Sequence, residues 1–278
     1  MRVHKAPYLA AVALLGFVYA ACSGAAWATE TDKDSLPVFH ADSVQGKEQG
    51  DCIGQDGAPV TGLVRSSYPG GAVGEEYTCA DGKMEGVYRS YYPGGGRYEE
   101  IPYKAGKRHG VDKSYYENGV LEAQGTFRNG LREGMLTLYG EDGSKVEEVP
   151  HARGKRQGVM RAYREDGVKV LEEPYKNDLR DGLSKTYFDG RQLRLVIPYV
   201  KDKQHGESKG YYEDGVLYTV IPFVRGDRHG TVKVYHRNGK LQSETAYVED
   251  RRHGEHKEYG EDGMLVRVLL YEDGLLVE

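Results

Sequence analysis

The chain has 278 residues, with 43 Asp and Glu against 38 Lys and Arg for a formal charge of −5, and it holds 38 glycines and 23 tyrosines but a single tryptophan. A net acidic chain is a poor match for nucleic acid or for bulk attraction to anionic lipid. Residues 1–28 contain Arg2 and Lys5 and no acid, so the remainder is more negative still.

Those first 28 residues read differently from the rest: Arg2 and Lys5, an apolar run from Tyr8 to Ala21, then small residues. A run of about 14 apolar residues is short for a bilayer span and matches the core of a secretory signal. Two processing sites compete, with an uncleaved anchor as a third alternative. Ala26-Trp27-Ala28 fits ordinary cleavage after Ala28, whereas Tyr19-Ala20-Ala21-Cys22 resembles a bacterial lipobox and would leave Cys22 lipidated. Ser23 after that cysteine resembles lipoproteins sent to the outer membrane. Cleavage at either site predicts an exported protein, in the periplasm or at the outer membrane, touching lipid only through its N-terminus. Residues 29–50 are polar and without repeat, and are expected to form a flexible tether.

From residue 51 onward one pattern governs the chain. Gly62, Gly86, Gly110, Gly134, Gly158, Gly182, Gly206, Gly230 and Gly254 stand 24 residues apart, the mark of a unit copied head to tail. Five residues after each glycine comes a tyrosine, with Ser67 the exception. A turn dipeptide follows, as in Asn118-Gly119, Asp142-Gly143, Asp166-Gly167 and Asp214-Gly215. Such pairs tolerate positive φ at both central positions, so each unit reads as strand, tight turn, strand. A second aromatic column follows at Tyr103, Phe127, Tyr175, Tyr199, Phe223, Tyr247 and Tyr271, preceded by Pro102, Pro150, Pro174, Pro198 and Pro222. Proline cannot donate to a ladder, which predicts strands of about five to seven residues ending there. The fold class is therefore all-β, an elongated array of nine tandem antiparallel hairpins over residues 51–278. Two strands per unit at ~4.8 Å give a rung of ~9.6 Å and a body of ~85 Å. Two aromatic ladders are expected to supply the core that a lone hairpin lacks.

Cys52 and Cys79 form an even pair in an exported chain. Cys79 takes the aromatic position of the first unit, so a disulfide to Cys52 is expected to staple the N-terminal edge, with two free thiols as the alternative. Three residues after the repeat glycines lies a basic column that includes Lys113, Arg161, Lys185, Lys209, Lys233 and Lys257, and four residues further on an acidic one. Charged strand faces blunt lateral sheet association; the same stripe would also dock a partner. His109, His205, His229 and His253 precede repeat glycines. At one rung apart they are too distant to share a metal, and a role bonding backbone at the corner, beside Arg108, Arg228 and Arg252, is expected. No nucleophile elbow, phosphate loop or zinc motif is present, and the acids recur in register. The sequence therefore predicts no catalytic residue, no cofactor and no metal.

The unit Gly-x-x-Lys-x-Tyr-Tyr-Glu-Asn/Asp-Gly-x-Leu, as in Gly206 to Leu217 and Gly110 to Leu121, continues as aromatic-x-x-Gly-x-x-x-Gly, as in Phe127 to Gly134. It resembles the MORN-variant repeat of bacterial antitoxin-type proteins. The resemblance implies a hairpin array that acts by binding protein, in some relatives by neutralising a toxin. With an export signal, that toxin or effector would act in the envelope. Related repeats are also linked to phospholipid contact, which implies instead a structural or lipid-contacting envelope protein. The second tyrosines Tyr92, Tyr116 and Tyr212 alternate with the first column and are expected to face a partner, framed by the basic column. The free protein is expected to be monomeric. The displaced turn at Gly190-Arg191 and His151 in the aromatic column are expected to bend the array or mark the docking site.

Overall fold

The computed structural model describes residues 36–189 and 192–277. The expected signal segment, Cys22 and the expected turn at Gly190-Arg191 lie outside the described residues. Within them, 26 strands join in one sheet that contains nine successive hairpins.

The unit beginning at Gly110 shows how each is made. The chain runs out along Gly110–Tyr115, returns along Leu121–Arg128, and adds a two-residue strand, Leu131–Arg132, before the next glycine. This third strand was not expected. The middle of each return strand pairs with the next unit's outgoing strand, as Glu100 does with Lys113. No unit is left to bury its own faces alone.

The prolines do not end the return strands, which run to eight residues. Pro102 sits opposite Val87 inside the strand Arg97–Lys104, and its carbonyl accepts the His109 N–H at 2.8 Å. The reason lies in the next unit. A Cβ on Gly110 would come within 2.8 Å of Pro102 Cγ, and one on Gly182 within 2.9 Å of Pro174 Cγ, at φ values of +124° and +129°. The repeat glycine leaves room for the proline of the preceding unit, in a backbone conformation that L residues avoid. A proline with no N–H to satisfy fits there.

The turns correct a second expectation. At Tyr116 to Val120 only Gly119 has positive φ, at 82°. The Gly119 N–H donates to the Tyr116 carbonyl at 2.9 Å, and the Asn118 side chain accepts the Val120 N–H at 2.9 Å. This is a right-handed turn closed by a left-handed glycine, with the register slipping one residue beside it. The turn with two positive-φ residues lies at the other end of the unit, at Ala105-Gly106 (48° and 76°) and Asn129-Gly130 (53° and 85°). All such corners lie on one long edge and the Asx-stabilised tips on the other. Successive corners bond directly: the Gly130 N–H donates to the Arg108 carbonyl at 2.9 Å, and Gly154 to Arg132 at 2.8 Å.

The two aromatic columns lie on opposite faces. Facing alternates along a strand, so Tyr88 opposite Ile101 and Gly86 opposite Tyr103 share one face, while Arg89 opposite Glu100 lies on the other. The first face carries Ile101, Val149 and Tyr247, all buried. Arginines stack on its rings: Arg156 Cζ is 4.0 Å from the Tyr175 centroid, Arg180 4.1 Å from Tyr199, and Arg228 4.4 Å from Tyr247. The other face is polar.

The deepest burial is at the N-terminal end. Val38–His40 pairs in parallel with Gly62–Ser67, and Ala41, Val44, Cys52, Val60, Val64, Tyr77, Cys79 and Met84 form one buried cluster. Cys52 and Cys79 are joined by a disulfide across 27 residues. The expected tether is thus corrected over residues 38–50. The first unit has no preceding unit to cover it, and Ala41 and Val44 supply the missing apolar cover.

Candidate functional site

On the polar face the tyrosine five residues after each repeat glycine reaches back to a glutamate of the preceding unit. The Tyr91 hydroxyl donates to Glu76 at 3.0 Å, Tyr115 to Glu100 at 3.1 Å, Tyr163 to Glu148 at 2.7 Å, Tyr187 to Glu172 at 2.7 Å and Tyr259 to Glu244 at 2.9 Å. The ladder lapses where that acid is replaced by Gln124, Val196 or Val220. The basic column lies on this face too: Arg89 approaches both Glu76 and Glu100, and Arg161 lies 3.6 Å from Glu172. It therefore frames the first tyrosines and not the second, contrary to the sequence reading.

Between the fifth and sixth units the face opens into a cavity of about 410 Å³ lined by Arg161, Tyr163, Gly167, Lys169 and Tyr187. Its geometry follows from a substitution within the repeat. The position that is leucine at Leu121, Leu193, Leu217 and Leu241 is Lys145 in the fourth unit and Lys169 in the fifth. Lys145 Nζ donates to Glu148 at 2.5 Å and lies 5.6 Å from the Tyr163 centroid; Lys169 Nζ donates to Glu172 at 2.7 Å and lies 4.8 Å from Tyr187. Glu172 thus gathers Lys169, Tyr187 and Arg161 and fixes the Tyr187 ring, while Glu148 holds that of Tyr163. Arg164 takes the second-tyrosine position of the fifth unit, paired with Asp166 at 2.5 Å and with Asp189 of the next tip.

Five segments match the family described as MORN repeat variant: residues 84–105, 108–129, 204–224, 228–249 and 252–273. These five segments carry the MORN-variant repeat. No curated protein matches it. The matched MORN-variant segments flank residues 130–203, which keep the same hairpins while changing Leu to Lys145 and Lys169, Tyr to Arg164, and the aromatic to His151.

The second tyrosines of the MORN-variant units are half-buried staples. The Tyr92 hydroxyl donates to the Tyr115 carbonyl at 2.8 Å, Tyr116 to Tyr139 at 2.8 Å and Tyr212 to Tyr235 at 2.9 Å. Tyr92 and Tyr212 also meet Tyr98 and Tyr218 edge-on at 5.1 Å. They join one unit to the next, a structural role the sequence reading did not give them. Among the basic residues, Lys209 pairs with Glu207 at 3.2 Å and Lys257 with Glu255 at 2.5 Å. Lys113, Lys185 and Lys233 face Gln124, Val196 and Glu244 across the ladder. Of these six column residues only Arg161 lines the cavity, where the other cation is Lys169. Sequence reasoning missed Tyr163, Lys169 and Tyr187 as a group. The signal was present in the lysine that replaces leucine two residues after a turn glycine.

The histidines bond at corners. His109 Nδ1 lies 3.3 Å from Asn129 Oδ1, and His205 Nδ1 accepts the Arg225 N–H at 3.4 Å. Arg156 and Arg228 bond the corner carbonyls of Asp178 and Asp250, the role expected of that column, and their stacking on rings is additional. His151 donates from Nδ1 to the Val149 carbonyl at 2.9 Å, and burial lowers its affinity for a second proton.

The two faces shift adjacent acids in opposite directions. Lys145, then Tyr163, hold Glu148 below the usual carboxylate range, and Lys169, then Tyr187, do the same for Glu172. Burial pushes Tyr163 and Tyr187 up to about 12. Glu147, one residue away on the apolar face, is raised by burial, as is Glu99. A raised carboxyl favours the folded state when protonated and loses that contribution as pH rises through its folded value; a lowered one contributes above the unfolded value and loses it on acidification. Glu147→Gln is therefore expected to raise the melting temperature at pH 7 with a gain that vanishes near pH 4. Glu148→Gln should lower it at pH 7 with a loss that fades in acid. Thermal unfolding of both variants across pH checks the opposite signs.

Proposed function

We propose that this protein is a non-enzymatic binding array of the immunity type, exported and held at the envelope by its N-terminus, whose fourth to sixth units neutralise a toxin or effector acting there. What supports the reading is the cavity between Tyr163 and Tyr187, placed where the repeat departs from its own pattern. Repeated positions serve stacking, whereas lysine in place of leucine at Lys145 and Lys169 puts a positive charge beside the rings of Tyr163 and Tyr187. Fixed tyrosine rings beside arginine and lysine are the chemistry of binding hot spots, since they offer large contact area at low cost in side-chain entropy.

Calorimetric titration with any secreted toxin that proves to be encoded in the neighbouring genes tests it. Arg161→Glu with Lys169→Glu is expected to weaken binding at least tenfold, about 1.4 kcal/mol. Lys257→Glu, remote from the cavity, should leave binding unchanged. The absence of binding, together with unaltered toxin sensitivity in cells lacking the protein, would remove the immunity reading. Salt-sensitive binding to anionic vesicles, lost on changing Lys209, Lys233 and Lys257 to Glu, would replace it with the structural, lipid-contacting one. The ion pairs to Glu207 and Glu255 weigh against that outcome, because they neutralise two of those lysines.

A further inference from the structure

The two long edges of the sheet carry opposite charge. On the corner edge, Lys104, Lys107, Arg128, Arg153, Lys155, Lys176, Lys201 and Lys203 are all exposed, concentrated in the corners 104–108, 128–132 and 152–156. Three acids on this edge are engaged by the inner arginines, Asp178 by Arg156 at 3.7 Å, Asp202 by Arg180 at 3.1 Å and Asp250 by Arg228 at 2.7 Å, while Asp81, Asp227 and Glu249 are exposed toward its two ends, so the basic character belongs to its middle. On the tip edge, Glu117, Glu141, Asp142, Glu165, Glu213, Glu261 and Asp262 are exposed, interrupted by Arg97 beside the second tip and by Arg237 and Lys240 at the eighth. The molecule's charge of −5 hides this separation.

We infer that the corner edge of one copy docks on the tip edge of another, with the two arrays lying side by side. Charge complementarity alone would suit many acidic partners, but the spacing singles out a second copy. Corners and tips belong to the same repeat, so both edges have the same period, and an alignment offset by one unit brings several basic corners to acidic tips at once. Corners of the second, third and fourth units meet tips of the third, fourth and fifth when the copies are offset by one unit. The contact uses opposite edges, so it is head-to-tail in the lateral sense and does not close after two copies. The pairing is exposed and held by charge, so it is governed by ionic strength; the monomer expected from sequence is the form that high salt leaves.

Sedimentation of the full chain at about 20 mM and about 500 mM salt tests the inference. The weight-average mass is expected at least to double at low salt and to return to that of one chain at high salt. Lys107→Glu with Arg128→Glu and Lys155→Glu should abolish the association, as should Glu117→Lys with Glu141→Lys and Glu165→Lys. Mixing the two triple variants should restore it, because each then offers the charge the other lacks. A single chain at every salt concentration, association that survives both reversals, or a mixture that stays monomeric while each variant keeps its β circular dichroism, would each overturn the inference.

Discussion

Truncating Tyr77 to alanine is expected to cost about 3–5 kcal/mol, the range for removing a large buried aromatic ring, and to open the array from its N-terminal end. Tyr77 is 2% exposed and packs among Val64, Cys52, Cys79 and Met84, with the Tyr88 ring 6.0 Å away and Lys47 Nζ 5.8 Å from its centroid. The surrounding side chains are held by a disulfide and by the strand Val38–His40, so they cannot collapse into the space left behind. Tyr163 is the instructive contrast. It is half-buried on the polar face, so its loss removes less area from water and leaves a gap that solvent fills. Because stability in a repeat array is a sum of unit and neighbour-interface terms, the damage from Tyr77→Ala should also be local. Hydrogen exchange is expected to show lost protection over residues 62–104 and near-normal protection beyond the fifth unit. Uniform loss over all nine units would mean instead that the array unfolds as one body.

That locality bears on what the sequence discloses. The interval of 24 residues, the nine hairpins and the two aromatic columns were legible because each rests on a local rule: a tyrosine at a fixed offset, a turn dipeptide, alternating facing. The contacts between units were not. Pro102 reads as a strand breaker until Gly110 of the next unit is seen lying against it. Ala105-Gly106 carries weak turn chemistry of its own, yet forms the tighter corner because the Gly106 N–H donates to the Met84 carbonyl at 2.9 Å and the Ala105 N–H to Glu85 at 2.7 Å. Tyr116 looked available by alternation. Its hydroxyl instead spans a unit to reach Tyr139, a distance in space that sequence offset does not convey. Residues 38–50 read as a tether because burial there depends on an apolar end face that exists only once the array is folded. The candidate site was legible in part: Arg161 and the disturbed middle units stood out, whereas the pairing of Lys169 with Glu172 under Tyr187 required the register between strands.

The second large effect concerns the bond that closes the same end. In the chain-entropy view, a disulfide spanning 27 residues stabilises by about 3.5 kcal/mol through its effect on the unfolded chain. Cys52→Ala with Cys79→Val should lower unfolding free energy by about that amount. Valine keeps an apolar group opposite Gly62, so little of the loss should come from packing. Reductant should reproduce the effect in the wild-type protein and do nothing to the variant. The informative measurement is the combination with Tyr77→Ala. Tyr77 and Cys79 stand two residues apart on one strand face and share the same neighbours, so their losses should not add. Once the first unit has opened, the ring is already in water and the cross-link closes a loop with nothing left to hold. Urea unfolding of the triple variant is therefore expected to show a loss clearly smaller than the two separate losses taken together, with the transition of the later units unmoved. Full additivity would place the staple and the ring in separate cooperative units, contrary to the single cluster they form.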